Sequence, residues 1–381
     1  MPTPSDGLLR DLAPAVLGVL VRRGADFATA EDAVQEALLR AWRSWPDDPP
    51  RDPKGWLVTV AWRAYVDAGR SEAARTRRER LVDSRPGPGP TESADDTLEL
   101  YFLCAHPDLS PASAVSLTLR AVGGLTTAQV ARAHLVPEAT MAQRISRAKR
   151  VVRDAGVRPG DLATVLRVLY LVFNEGYTGE VDLAEEGIRL ARRLVAASGS
   201  AEATGLLALM LLHHARRAAR IRPDGSLVAL GDQDRSRWDT TAVAEGVRLL
   251  QSALARDRLG PYQAQAAIAA LHADAPSAAE TDWTQVVEWY DELLRFDDSP
   301  VVRLNRAVAL GEADGAAVGL AALAEVDPTV PRHTAVAAYL HERNGETALG
   351  ARLYAEAARL AGSVAERDHL TLQAARLHRS G

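Results

Sequence analysis

This sequence predicts an all-α protein, and three observations carry that expectation. Alanine and leucine dominate its 381 residues, aromatics make up only 5%, and β-branched runs are short. Apolar residues recur at helical rather than alternating spacing. The breaks between those stretches fall at Gly, Asn and Pro, the residues that interrupt helices. This length accommodates two or three domains with real cores.

Composition excludes several function classes. Cys104 is the only cysteine, so no intrachain disulfide and no cysteine metal cluster can form, and its apolar context (LYFLCAH) predicts a buried structural thiol. No signal peptide opens the chain and no run approaches the 18 apolar residues of a membrane span, so the expectation is cytoplasmic, with no membrane partner. The net charge of −5 is unevenly placed: residues 1–160 carry 22 basic and 20 acidic groups, the remainder 23 and 30. An acidic back half argues against nucleic-acid contact there, while basic clusters in the front half permit it.

Residues 8–23 form an apolar helical pattern interrupted by Pro14, and Asp26 to Thr29 make a turn. In EDAVQEALLRAW, Val34, Ala37, Leu38 and Ala41 form the inward stripe, whereas Asp32, Gln35, Glu36, Leu39 and Arg43 form a polar stripe holding a single leucine. A solvated face or a protein-docking face both fit. A proline-rich loop, SWPDDPPRDPKG, precedes GWLVTVAWRAYVDAGRSEAARTRRER. There Leu57, Ala61, Ala64 and Ala68 can pack inward, leaving Thr59, Trp62, Arg63, Val66 and Arg70 on another face. Aromatics interleaved with arginines suit single-stranded nucleic acid, although on composition alone Trp56 and Trp62 fit core packing better. Ser84 to Asp96 (SRPGPGPTESADD) has the composition of a flexible linker.

Two supporting helices, Leu98 to His106 and Ser110 to Arg120, lead into a helix-turn-helix. Gly123-Gly124 break a helix, Thr126 and Gln129 make a capping box, and Val130, Ala131 and Ala133 point inward. After Pro137, Met141, Ile145, Ala148 and Val152 form one apolar stripe, with Thr140, Gln143, Arg144, Arg147 and Arg150 on or near the other face. From Arg120 to Arg158 eight Lys or Arg face two acids, Glu138 and Asp154. Such a helix fits a major groove, its cations on phosphates and its short polar groups on base edges.

Past Arg158-Pro159-Gly160 the chain becomes a succession of Ala- and Leu-rich helices. Gly311 and Gly345 are 34 residues apart, as are Ala317 and Ala351, Leu320 and Tyr354, Leu323 and Ala357, the period of tetratricopeptide helix pairs. Between the helices at Thr204 to Ala218 and Thr240 to Arg256, DGSLVALGDQDRSRWD reads as a long ordered loop. No catalytic motif emerges, so the chain is not expected to be an enzyme. His213 and His214 are adjacent, poor geometry for one metal. Asp232, Gln233, Asp234, Arg235 and Trp238 add a polar cluster, and Asn174, Glu175 and Tyr177 follow an apolar helix as a candidate inter-domain contact.

GLTTAQVARAHLVPEATMAQRISRAKR resembles region 4 of the extracytoplasmic-function sigma factors, within the branch that carries a long helical C-terminal extension. LYLVFNEGYTGE, DQDRSRWD and SPVVRLNRAVAL resemble segments of that extension, which has no agreed chemistry. The resemblance implies a region 2 bundle at 8–82, a linker at 83–96, a region 4 helix-turn-helix at 97–158 and a tetratricopeptide-like extension at 160–381. It implies core RNA polymerase and promoter DNA as partners, with no cofactor or metal, and leaves a regulatory protein at the extension as a further partner. Asp32, Gln35, Glu36 and Leu39 match the motif that docks on the polymerase clamp. Trp56, Thr59, Arg63, Asp67 and Arg70 fall where regions 2.3–2.4 melt the −10 element, and the loop Asp47 to Lys54 where a flipped base is held. Arg63 stands where the family commonly has asparagine, and Gly69-Arg70-Ser71 replaces its basic, leucine-bearing end. Thr127, Glu138, Thr140, Gln143, Arg144, Arg147 and Arg150 fall on the −35 reader. The alternative reading is a one-component helix-turn-helix regulator with a helical-repeat effector domain that does not associate with polymerase.

Overall fold

Helix α1 (Asp6–Arg22) contains Pro14 without breaking. Its neighbours Ala13, Val16, Leu17 and Leu20 are buried, and that packing offsets the ~3 kcal/mol expected of an interior proline. The interruption expected at Pro14 is therefore absent. The computed structural model describes residues 6–46, 48–76, 97–134, 136–154, 160–178, 181–220, 222, 226 and 228–380. The expected linker at 83–96 lies outside them.

α2 (Phe27–Ser44) starts at an Asp26 cap, whose carboxylate accepts from the Thr29 N–H at 3.0 Å. It packs against α3 (Pro53–Thr76), and Val34, Ala37 and Ala41 of α2 are buried, as are Leu57, Ala61 and Ala64 of α3. Ala68, expected to point inward, is exposed. α4 (Thr97–Cys104) and α5 (Pro111–Ala121) lead into α6 (Thr127–Ala133) and α7 (Glu138–Asp154), the helix-turn-helix pair. α8 (Leu162–Glu175), the short hairpin β1 (Tyr177–Thr178) and β2 (Val181–Asp182), and α9 (Leu183–Ser198) follow. That antiparallel hairpin is the one departure from an all-helical chain among the described residues.

The first compact unit runs Met1–Gly199, so it includes α8 and α9, well past the Arg158-Pro159-Gly160 punctuation. Both pack on the front elements: α8 against α4 and α5, α9 against α4. The buried Tyr101 hydroxyl donates to the Leu190 carbonyl at 2.7 Å. Gly199 closes α9 at φ 58°, the left-handed cap that glycine takes without strain.

The second unit is Ser200–Gly381. α10 (Ala201–Ala215) is buried on nearly every face, as its all-round apolar sequence requires. α11 (Arg217–Arg220) is one turn; two 3-10 turns, Leu230–Asp232 and Arg235–Arg237, lead to α12 (Thr240–Leu254) and α13 (Pro261–Asp274). α12 and α13 pack on α10. The Glu202 carboxylate accepts from the Tyr262 N–H at 2.6 Å, an anion at the α13 N-terminus. α14 (Trp283–Leu294), α15 (Pro300–Ala313), α16 (Ala316–Leu323), α17 (His333–Arg343), α18 (Thr347–Leu360) and α19 (Val364–Ser380) then pack successively as helical hairpins, giving the tetratricopeptide-like region.

The repeat register differs from the sequence pairing. Gly315 (φ 100°) and Gly345 (φ 82°) occupy corresponding turns, and Gly319 and Gly350 occupy corresponding helix crossings, so Gly345 answers to Gly315 rather than to Gly311. Turns and crossings both select glycine, and the sequence pairing joined one of each kind. At Gly319 an added Cβ would stand 2.8 Å from the Ala307 carbonyl oxygen and 2.8 Å from the Gly311 Cα, backbone atoms that cannot rotate away. Gly319→Ala should therefore lose about 1–2 kcal/mol in urea unfolding, overpacking exceeding the gain in helix propensity. Gly362→Ala, with nothing within 4 Å of its Cβ, should be neutral or better.

Candidate nucleic-acid interface

Two helices present the expected faces. On α2, Asp32 and Glu36 are exposed, Gln35 is half-buried, and Leu39 is 59% exposed. Trp42, one turn on, is 49% exposed and extends that apolar stripe. Sequence reasoning passed over Trp42, although its spacing from Leu39 was the available signal. Glu36 pairs with Arg40 on the same face.

On α7, Met141, Ile145, Ala148 and Val152 are all buried. Glu138, Thr140, Gln143, Arg147 and Arg150 are exposed, and Arg144 and Thr127 are half-buried. Glu138 sits in the first turn, where a negative charge suits the helix dipole. The capping box is complete: the Gln129 N–H donates to Thr126 Oγ1 at 3.1 Å, and the Thr126 N–H to Gln129 Oε1 at 2.8 Å. Gly124, at φ 70°, lies so close to α1 that a Cβ would stand 3.0 Å from the Arg10 carbonyl oxygen.

The residues of α3 are less uniformly available. Thr59, Arg63 and Asp67 are exposed, with the Thr59 hydroxyl donating to the Gly55 carbonyl at 2.8 Å. Trp56 is half-buried and meets Trp45 edge-on, ring centroids 5.5 Å apart. Trp62 lies against Tyr65, and the Arg23 guanidinium sits 5.6 Å from its ring centroid. The Arg70 side chain lies outside the described residues, as does that of Tyr177. Asn174 and Glu175 are exposed at the end of α8, where Glu175 Oε2 lies 3.9 Å from His134 Nδ1. Burial holds the His134 imidazole below its usual range; Glu175 opposes that shift and Arg144 adds to it.

A buried carboxylate joins these helices. Glu31 is 1% exposed and pairs with Lys149 of α7, whose ammonium also reaches Asp32 at 2.7 Å. Arg120 Nε lies 2.9 Å from Glu31 Oε1, and Arg120 Nη1 donates to the Leu125 carbonyl at 3.0 Å. Burial first, and then this carboxylate, push the Cys104 thiol up. A second cluster ties α9 to the same body. Glu186, buried, accepts from Arg10 at 2.9 Å and from Arg189 at 2.6 Å; Arg189 also donates to Asp11 at 3.1 Å and to the Gly123 carbonyl at 3.0 Å.

Known proteins resemble this chain in the same places. The family model of Sigma-70 region 2 matches residues 8–75, and that of Sigma-70, region 4 matches 99–151. SigL of Mycobacterium tuberculosis, an ECF RNA polymerase sigma factor, is 34% identical over 35% of this chain and 77% of its own. The chain belongs to the extracytoplasmic-function sigma factors of the sigma-70 family. SigJ of the same organism is 30% identical over 47% of this sigma factor and 67% of its own length. An uncharacterized protein of Rhizobium meliloti is 40% identical over 83% of the chain and 80% of its own, extending the likeness into the C-terminal region. Residues 161–254 match a family of unknown function (DUF6596). No solved structure matches. No helix among the described residues is long and apolar enough to cross a membrane.

The Glu31 cluster yields a stability prediction. Glu31→Gln should cost about 3 kcal/mol in urea unfolding, because it leaves Arg120 without a carboxylate and Lys149 with only the exposed Asp32. Adding Lys149→Met should recover part of that loss, a coupling read from the double-mutant cycle.

Proposed function

We propose that this sigma factor binds core RNA polymerase through the exposed face of α2 and recognises promoters with α7 in the −35 major groove and α3 at the −10 element. The observation that carries the reading is the Asp32–Gln35–Glu36–Leu39 face with Trp42 beside it. An exposed leucine and tryptophan flanked by acids have no use in a self-contained repressor, but fit a partner surface with apolar pockets and a basic rim. On α7, Thr140, Gln143, Arg144, Arg147 and Arg150 divide the work: arginines hold phosphates and short polar groups meet base edges. On α3, Asp67 keeps the melting motif while Arg63 and Arg70 depart from it with cations of their own, and Trp56 and Trp62 brace the helix from partly buried positions. Polymerase supplies the bond-forming chemistry, so the sigma factor itself needs neither catalytic residues nor a cofactor.

The C-terminal region regulates this activity in our reading. Its first helices, α8 and α9, fasten α1 to the helix-turn-helix through Glu186 and Arg189, and Glu175 reaches toward His134. Asn174, Glu175 and Tyr177 are proposed as part of that contact. The Asp32–Lys149 pair places part of the docking face under the hold of α7, so engaging polymerase exchanges that pair for intermolecular ones.

Two measurements test the reading. Leu39→Ala with Trp42→Ala should abolish co-purification with core polymerase while leaving the unfolding midpoint unchanged, since both side chains are exposed; retained binding would favour the one-component regulator. Run-off transcription should compare the full chain with a truncation after Gly199. A cut after Gly160 would remove the Leu190 carbonyl and Glu186, both parts of the front unit. Higher output from the shorter chain makes residues 200–381 an inhibitor, and loss of output makes them part of the working factor.

A further inference from the structure

The second unit gathers cations that no step above uses. Arg216 caps the end of α10, α11 brings Arg220, the turn Arg235–Arg237 brings Arg235, and His213 and His272 lie among them. Arg216 and Arg235 flank one buried indole: their guanidinium carbons lie 6.0 and 5.0 Å from the Trp238 ring centroid. Arg235 Nη1 donates to the Ala275 carbonyl at 2.7 Å and also reaches the His272 carbonyl. His272 in turn meets Trp283 edge-on, centroids 5.2 Å apart. These contacts hold the Arg235 guanidinium and set that of Arg216 beside the same indole without neutralising either.

Compensation is what this group lacks. Elsewhere in the unit Arg306 pairs with Asp291 at 2.6 Å, Arg343 with Glu312 at 2.9 Å, and Arg376 with Glu342 at 2.6 Å. Among the described residues no carboxylate forms an ion pair with Arg216, Arg220 or Arg235, and the buried Arg216 Nε has no hydrogen-bond partner. The acid whose charge reaches Arg235 is Glu280, which is exposed and accepts from Ser277 Oγ at 2.7 Å. A largely buried guanidinium is ordinarily paired, and the Trp238 face compensates it only in part.

We propose that Arg216, Arg220 and Arg235 form a binding site for a small phosphate-class dianion, either inorganic phosphate or a phosphomonoester. Three guanidiniums without an ion-pair partner among the described residues call for a ligand of more than one negative charge, and their planar forks match pairs of tetrahedral oxygens. Arg220 is exposed and forms the entrance in this proposal; Arg216 and Arg235 are half-buried. The surrounding field agrees with this assignment. Burial first, and then Arg216 and its neighbours, push His213 down to about 3 and His272 down to about 4, so both are neutral at physiological pH and leave the arginines to carry the charge. The proposal requires nothing from the polymerase reading and stands or falls separately.

The test uses the full chain and needs no transcription assay. Thermal unfolding would be followed against inorganic phosphate, against glycerol 3-phosphate and against chloride at matched ionic strength, with isothermal titration for affinity. A saturable rise in unfolding temperature with either phosphate, absent with chloride, is expected from linkage, and the tighter of the two identifies the source. Arg220→Gln removes an exposed side chain and should weaken the titrated affinity about tenfold or more. Arg216→Lys keeps the charge and loses the fork, and should weaken it as well. A phosphate effect no greater than that of chloride overturns the proposal. So does an Arg216→Lys variant that unfolds earlier yet keeps the wild-type phosphate increment, since these arginines would then only pack against Trp238.

Discussion

A carboxylate buried to 1% exposure is tolerable only if its charge is answered, and Glu31 is answered from two places distant in sequence. Arg120 comes from the helix before the helix-turn-helix and Lys149 from the helix expected to read DNA. The arrangement of the front unit depends on that exchange. If α7 rotates or slides, Lys149 leaves and Glu31 keeps only Arg120 in a core that also holds Cys104. A buried ion cluster of this kind adds little net stability over an apolar replacement but penalises misplaced partners heavily. Its contribution here is to set which side of α7 faces α2, and so which side carries Thr140, Gln143 and Arg147 outward.

Glu186 plays the corresponding part beside the first half of α1. Arg10 and Arg189 meet on it, and Arg189 continues to Asp11 and to the Gly123 carbonyl. The turn preceding α6 is thus held by a side chain from α9, while Gly124 allows the α1 backbone to approach it. α8 and α9 are therefore structural members of the sigma body as well as the start of an extension. The match of residues 161–254 to one family spans the end of that body and the start of the second unit.

What was readable in the sequence was local. The capping box at Thr126 needs only Gln129 three residues on, and the buried stripe of α7 only the helical period. The exposed face of α2 was legible for the same reason. Glu31 was not, because in EDAVQEALLRAW it is one acid beside another, and its burial is decided by Arg120 and Lys149. Membership of α8 and α9 in the front unit was hidden likewise: Arg158-Pro159-Gly160 reads as a boundary, whereas the Tyr101 hydroxyl and the Leu190 carbonyl meet across 89 positions of chain. Pro14 misled in the opposite direction, since its local penalty is outweighed by packing that no short window contains. The arginine cluster around Trp238 was visible only as a polar segment, its lack of carboxylate partners being a property of the folded unit.

Cys104, finally, sits at the end of α4 with no exposure, beneath the contacts that bind α1, α5, α8 and α9 together. As the sole thiol of the chain, it gives the molecule an internal chronometer. Alkylation there must wait for the front unit to part, and the raised proton affinity of the thiol slows the reaction further while the unit stays shut. With reagent concentrated enough that alkylation outpaces reclosing, the rate of labelling counts how often the helices come apart. No dye, tag or added residue is needed to follow that breathing.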